Sequence, residues 1–332
     1  MDAQMTARMG EEAVRIAIIG AGIAGLACSD RLGAQGIDTV LFDKGRGAGG
    51  RMSTRRIATS AGPVLLDHGA QYFTARDPLF VDQVSAWSRK GLAAPWLVVG
   101  SDAWVGTPTM NAPIRNMASH HDVRFSEHVQ GLVRDDGAWW LHSDTGTHGP
   151  FDGAIIALPA EQAAPFLGLH DLGMASQAMT ARSQPCWTAM IVFDSRLDID
   201  VDHIRETGPI SWACRNGAKP GREGPEAWVV QGSGTWSAAH LDVGSLHVAH
   251  ALLDALVSHR GTAAVPALLN LTAHRWRFAM TRGTDQGALW NPTLRLGACG
   301  DWLLGPRVEL AWLSGRKLAD RVLEGCAGGM AT

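Results

Sequence analysis

The chain has 332 residues, 46% hydrophobic and 18% charged, which is enough apolar material for a sizeable core in one large or two ordinary domains and excludes general disorder. A formal net charge of −3 and the lack of any Lys/Arg block leave no electrostatic footprint for nucleic acid or a membrane surface. No segment approaches the roughly 20 apolar residues that span a bilayer, so a soluble cytoplasmic protein is expected.

Met1 to Ala13 is polar, lacks a signal-peptide core and reads as a frayed extension. Val14 to Ile19 is then an apolar, β-branched run suited to a strand buried on both faces. Gly20, Gly22 and Gly25 follow in G-x-G-x-x-G spacing, and Ile23 to Leu32, opening with Ile23 and Ala24, reads as a helix. In that spacing the first glycine makes the tight turn, the second lets backbone N–H groups approach a pyrophosphate, and the third lets helix and strand pack closely. Asp38 to Phe42 gives the next strand, and Asp43 ends it where an acidic side chain meets adenosine ribose hydroxyls. An acid there repels a 2′-phosphate, so the slot suits FAD or NAD rather than NADP. Lys44 to Met52, KGRGAGGRM, adds a second glycine-rich turn carrying Gly50, Arg51 and Met52.

A polar loop leads to Val64–Asp67 and the segment DHGAQYFT, residues 67 to 74. Asp77 to Lys90 has helical spacing behind an Asp-Pro start, and GTPTMN leads into a helix ending near His120. His120 and His121 read as solvated. Val123–Ser126 and Val129–Arg134 read as strands, the second forming a hairpin with Ala138–His142 through Asp135-Asp136-Gly137. Phe151 to Pro159 returns to the parallel sheet. Beyond it, Ala189–Phe193, Ile210–Ala213, Ala227–Gln231 and Leu271–Trp276, with a helix over Val243–His259, suggest an antiparallel sheet with helices on one face. Asn216 to Pro225 reads as a mobile surface loop. Leu294–Cys299, Gly300-Asp301 and a helical Arg307–Leu323 close the chain. Five cysteines without a C-x-x-C pair argue for reduced thiols and no metal site.

The fingerprint, GGRM, DHGAQYFT and the Gly-Asp before the last helix together resemble the renalase-like oxidoreductases of the amine-oxidase flavoprotein group. The resemblance covers nearly the whole chain and is strongest at its two ends. It implies an α/β fold, a Rossmann-type FAD-binding domain with a second antiparallel-sheet α+β substrate domain, in the amine-oxidase/p-hydroxybenzoate-hydroxylase-like architecture. The expected partition is 1–75, 118–160 and 290–332 for the discontinuous FAD domain, and 76–117 and 161–289 for the substrate domain. By resemblance, FAD is non-covalent, since Cys326 falls after the last helix and outside any attachment motif. The same resemblance puts the Lys44–Met52 turn, Ala70, Gln71, Tyr72, Val129, Gly300, Asp301, Val308 and Glu309 on FAD. Relatives have glycine where this chain has Leu310, so a side chain here stands where theirs lets the last helix approach the ring.

The implied reaction is hydride transfer from aberrant dihydronicotinamide isomers of NAD(P)H to flavin N5, with O2 reoxidising the flavin to give H2O2 and NAD(P)+. Such a donor has no proton that must leave, so no acid–base dyad is required. Trp212, Arg215, Asn216, Gln231 and Trp236 lie at or near ends of expected strands in the second domain, as do His274, Arg275, Trp276 and Phe278. Of these, Trp276 is assigned as the flat wall, Arg215 or Arg275 as the phosphate partner, and Gln231 as a further catalytic-site residue. Relatives carry histidine at 231, and close bacterial ones tyrosine at 278, so this chain departs from them at two positions on the substrate side. An FAD-dependent amine oxidase, an NAD-dependent dehydrogenase and a flavin-binding protein with little turnover stay open as rival readings.

Overall fold

The computed structural model describes residues 14–328, so the extension expected at Met1–Ala13 lies outside the described residues. Arg15–Ile19 sits in the middle of a six-stranded sheet ordered Leu289–Asn291, Leu296–Ala298, Gly153–Ile156, Arg15–Ile19, Asp38–Asp43 and Asp122–Phe125. All neighbours run parallel except Leu289–Asn291, which pairs antiparallel at one edge. Because side chains alternate along a strand, the first strand feeds two cores. Ile16 and Ile18 pack with Leu26 and Leu32 of the helix Ile23–Gly33 and with Trp312, Leu318 and Val322 of the last helix, Val308–Gly328. Ala17 and Ile19 pack on the opposite face against Leu132, Trp139 and Leu141 of a three-stranded meander. That meander includes a third strand, Thr147–Phe151, which takes Phe151 out of the returning strand expected at Phe151–Pro159.

Two helices, Ala160–Gly168 and Leu172–Thr180, continue that second core through Ala163, Leu167, Met174 and Ala178. On sequence grounds the chain leaves for the substrate domain at this point. Their buried positions are mostly alanines, which give a weak periodic signal. Residues 76–117, grouped with the substrate domain on sequence grounds, bury Phe80, Trp87, Trp96, Val105 and Ile114 in the same core as Ile18 and Trp312. The last helix includes Cys326, which was expected beyond it.

The second sheet is antiparallel with five strands, ordered His203–Thr207, Ile210–Arg215, Ala227–Gly232, Ser183–Phe193 and Leu268–Thr281. One face, through Ala189, Ile191, Phe193, Trp228 and Val230, packs against the helix Ser245–Val257. The other, through Met190, Val192 and Val229, receives Ile57, Val64 and Leu66. These last belong to a hairpin in which Thr54–Thr59, falling in the expected polar loop, pairs with Gly62–Asp67, which contains the expected run Val64–Asp67. Its first strand is polar at all positions but Ile57 and Ala58, so composition hid it. No described helix is long and apolar enough to cross a membrane.

Candidate functional site

A cavity of 1910 Å³ runs from the glycine-rich turn of the first strand to the ends of the second sheet. Its volume is about twice the upper range for drug-sized ligands, room for a dinucleotide and a second molecule. At the nucleotide end Gly20 has φ +109°, and a β-carbon there would come 2.5 Å from the Ala157 carbonyl oxygen. Gly25 is not on the cavity; a β-carbon on it would overlap the Gly20 carbonyl oxygen, because helix and turn touch there. Gly22 lines the cavity, and a β-carbon on it would meet nothing within 4 Å. Open space over an uncapped helix N-terminus is what a phosphate needs. Asp43 accepts hydrogen bonds from the Ala21 N–H at 2.8 Å and the Gly45 N–H at 2.7 Å, so its carboxylate fixes both glycine turns.

Ile23, Ala24, Lys44, Gly50, Arg51 and Met52 line the cavity, as do Ala70, Gln71, Tyr72, Val129, Gly300, Asp301 and Val308. Arg51 meets Asp301 in a two-pronged ion pair, Nη1 to Oδ2 at 2.7 Å and Nη2 to Oδ1 at 2.5 Å, and also donates to the Ala279 carbonyl at 3.2 Å. Glu309 is elsewhere. Its buried carboxylate accepts from the Arg76 N–H at 2.6 Å and the Asp77 N–H at 2.7 Å, so it holds the loop before the helix Pro78–Arg89 and does not face the cavity. Leu310 is also off the cavity, with its Cδ1 beside Gly305.

The segment 67–71 forms the wall between the two halves, and its own Gln71 together with two side chains of the second half hold it by its carbonyls. Gln71 donates to the carbonyls of Asp67 at 2.5 Å and Gly69 at 3.0 Å. Gln231 donates to Gly69 O at 2.8 Å, and Trp276 Nε1 to His68 O at 2.8 Å. Gln231 and Trp276, both assigned to substrate, line the cavity but spend these polar hydrogens on the wall.

Behind the wall lies a cluster the sequence reading missed. Asp67, Lys219 and Arg222 are buried together. Asp67 Oδ2 accepts from Arg222 Nη2 at 2.6 Å and Lys219 Nζ at 3.4 Å, and Oδ1 from Thr54 Oγ1 at 2.7 Å and the Met110 N–H at 3.0 Å. Burial alone raises the Asp67 pKa, but the two cations outweigh it and hold the carboxyl down to about 2. Asn216, Lys219 and Arg222 therefore correct the expectation of a mobile surface loop at 216–225, because three of its polar side chains are drawn inside.

At the end of the cavity bordered by the second sheet the rings of His68, His274 and Trp276 meet, with centroids 5.0 Å apart for the two histidines and 4.5 Å for His274 and Trp276. Burial first, then the charges of His274 and Arg55, lower His68 to about 4; burial and Arg55 also lower His274, so both are neutral at pH 7. Arg275 and Arg277 line the cavity, as do Arg55 and Arg56 from the neighbouring hairpin strand. The Arg275 guanidinium donates to the Leu241 carbonyl. Arg215 does not line the cavity: it is buried, pairs with Glu226 and with Asp202 at 2.9 Å, and donates to the Ile199 carbonyl at 2.8 Å. Three acceptors in the loops flanking the second sheet engage all three nitrogens of its guanidinium and turn it away from the cavity. Trp212 and Phe278 line the cavity, whereas Asn216 and Trp236 do not. Nine lysine and arginine residues line the cavity against four aspartates and glutamates.

Residues 18–83 match the family model described as an NAD(P)-binding Rossmann-like domain. Among solved structures, a putative protoporphyrinogen oxidase from Exiguobacterium sp. 255-15 is similar at TM-score 0.71 and 12% identity, covering 95% of this chain and 100% of that one. Cyclohexylamine oxidase from Brevibacterium oxydans IH-35A gives 0.70 and 14%, with 95% and 100% covered. A redesigned putrescine oxidase gives 0.64 and 11%, with 94% and 100% covered. At these identities the likeness establishes the fold: a Rossmann-type half with a second, antiparallel-sheet half in the amine-oxidase architecture.

Proposed function

We propose that this chain is an FAD-dependent oxidoreductase whose hydride donor is an anionic dihydronicotinamide dinucleotide, in the manner of the renalase-like enzymes. The observation that carries this reading is the cationic lining beside the second sheet, where Arg55 and Arg56 have no ion pair among the described residues and Arg275 and Arg277 share one exposed carboxylate, Asp242, at 3.8 and 3.9 Å. Two phosphates of a cofactor account for part of the cavity's cationic surplus, and the rest favours a second anionic ligand over a cationic amine. The residues present fit FAD: Gly22 leaves a phosphate-sized gap, Asp43 stands at the end of the second strand, and Arg51, Asp301 and the N-terminus of the last helix border the same space.

Bound flavin supplies the chemistry, accepting a hydride at N5 and passing electrons to O2 to give H2O2. The protein's own residues bind and orient. Arg275, Arg277, Arg55 and Arg56 offer cations to the donor's phosphates at the cavity's outer end, and Trp276 offers a flat wall. The neutral imidazoles of His68 and His274 leave that wall uncharged. None of these groups has to move a proton for hydride transfer from a dihydronicotinamide. Buried thiols also fit a reducing cytoplasmic setting: Cys28, Cys186, Cys214 and Cys299 are free, and burial pushes Cys299 up to about 12.

The test begins with a visible absorption spectrum and proceeds to anaerobic stopped-flow reduction by mixed dihydronicotinamide isomers, with benzylamine as the control. Rapid bleaching by the isomers, and peroxide on admitting air, is the expected result. Rapid bleaching by benzylamine alone replaces the reading with an amine oxidase, and slow reduction by every donor replaces it with a flavin-binding protein of little turnover.

A further inference from the structure

Lys219, Arg222 and Asp67 are each nine-tenths or more buried, and among the described residues the two cations share this one carboxylate. A buried group of two cations and one carboxylate carries a net positive charge that water does not screen, and keeping it there costs folding free energy. Lys219 does not stop at Asp67. Its ammonium donates to Gln71 Oε1 at 2.9 Å, while Gln71 lines the cavity and uses its own N–H groups on the carbonyls of Asp67 and Gly69. The amide of Gln71 is thereby held in one orientation, oxygen toward the lysine. The cation therefore sits one side chain behind the cavity wall.

We propose that Lys219 is a positioning residue which, with Arg222 and Asp67, fixes Gln71 and places an uncompensated buried positive charge behind residues 69–72, where it stabilises an electron-rich ring bound in the cavity. The charge acts from behind the wall, distinct from the arginines that line the substrate end and from the N-terminus of the last helix. Its action on a flavin rests on the cofactor assigned under the proposed function.

Sulfite is the probe. Its sulfur lone pair bonds to flavin N5, adding two electrons to the ring and leaving negative charge on it, so its affinity reads how far the protein stabilises that state. The protein is loaded with FAD, titrated with sulfite by loss of flavin absorbance, and its midpoint potential measured against a reference dye. Lys219→Met and Arg222→Met each remove the excess charge and are expected to weaken sulfite binding at least tenfold; the same factor in a two-electron couple is about 30 mV more negative. Arg222→Lys keeps the charge and is expected to stay within about twofold of the unaltered protein, which separates charge from packing. If Lys219→Met and Arg222→Met hold FAD normally and keep both sulfite affinity and potential, the proposal is overturned while the cofactor reading stands. If the unaltered protein takes up no FAD, the cofactor reading itself fails, and this proposal with it.

Discussion

Gly22 and Gly25 lie three residues apart in one motif, yet the structure gives them separable roles, and two substitutions test this. At Gly22 the backbone is extended, φ −76° and ψ 178°, a conformation that suits a β-branched residue. A β-carbon there meets nothing within 4 Å. Gly22→Val should therefore change stability by no more than about 1 kcal/mol. The new side chain would fill the gap over the helix N-terminus and deny a pyrophosphate its backbone N–H groups. Two charge-assisted hydrogen bonds at about 1.5–3 kcal/mol each make a loss of about 3–6 kcal/mol, some 10²- to 10⁴-fold in FAD affinity. Gly25→Ala does the reverse. Its methyl group overlaps a backbone carbonyl that cannot swing away, a clash costing about 1–3 kcal/mol and lowering Tm by several degrees. Thermal unfolding of the apoproteins, together with flavin fluorescence quenching on FAD titration, measures both quantities. A folded Gly22→Val protein that binds FAD with unaltered affinity would refute the placement of the pyrophosphate.

Acid should expose the buried histidine. With His68 at about 4 when folded and near 6.5 when unfolded, the unfolded chain takes up the proton first as pH falls. Its contribution is complete above about pH 7, and about 2 kcal/mol of it is gone by pH 5; urea unfolding at both pH values should show this slope flattened in His68→Phe. Asp67→Asn leaves Lys219 and Arg222 without their carboxylate and should cost about 3–5 kcal/mol in the same assay. In the unaltered protein the Asp67 contribution is held above about pH 4 and lost as pH falls from there toward 2. Glu309→Ala should lower Tm by uncapping the Arg76 and Asp77 N–H groups while FAD affinity stays unchanged, and a parallel loss of FAD would return Glu309 to the cavity. Arg275→Met should raise the donor's KM about ten- to a hundredfold if its side chain meets a phosphate. Arg215→Met should destabilise the protein and leave KM alone; steady-state kinetics on the isomers separates the two.

The parallel sheet was legible because its signals are local: an apolar strand, three spaced glycines and an acid within 30 residues. The wall and its backing were not. Asp67 meets Lys219 and Arg222 across some 150 residues of chain, and nothing near either end of that contact distinguishes buried cations from solvated ones. Arg215 and Arg275 look alike in sequence, each at a strand end, and only the carboxylates of Asp202 and Glu226 show that the first is spoken for. His121, expected in solvent, is nearly buried between Ser29 at 2.9 Å and Asp30 at 2.6 Å. The three side chains have the composition of a hydrolytic triad, but Ser29 is fully buried and its hydroxyl also bonds Thr39 at 2.6 Å, so no substrate reaches it.

The contact between the first and last helices sets an order of events during synthesis. Gly315 lies against the Ala24 carbonyl so closely that a β-carbon would overlap it, and the last helix covers Leu26 and Leu32. At about 5–20 residues per second, the ribosome needs roughly 15–60 s to travel from one to the other. For that interval the first helix presents an uncovered apolar stripe, and the strand carrying Ala298, with Asp301 beyond it, has yet to emerge. The cavity, whose lining includes Gly300 and Asp301, is therefore complete only once those residues have emerged, and until then the amino-terminal strands and first helix expose apolar surface that aggregation can exploit.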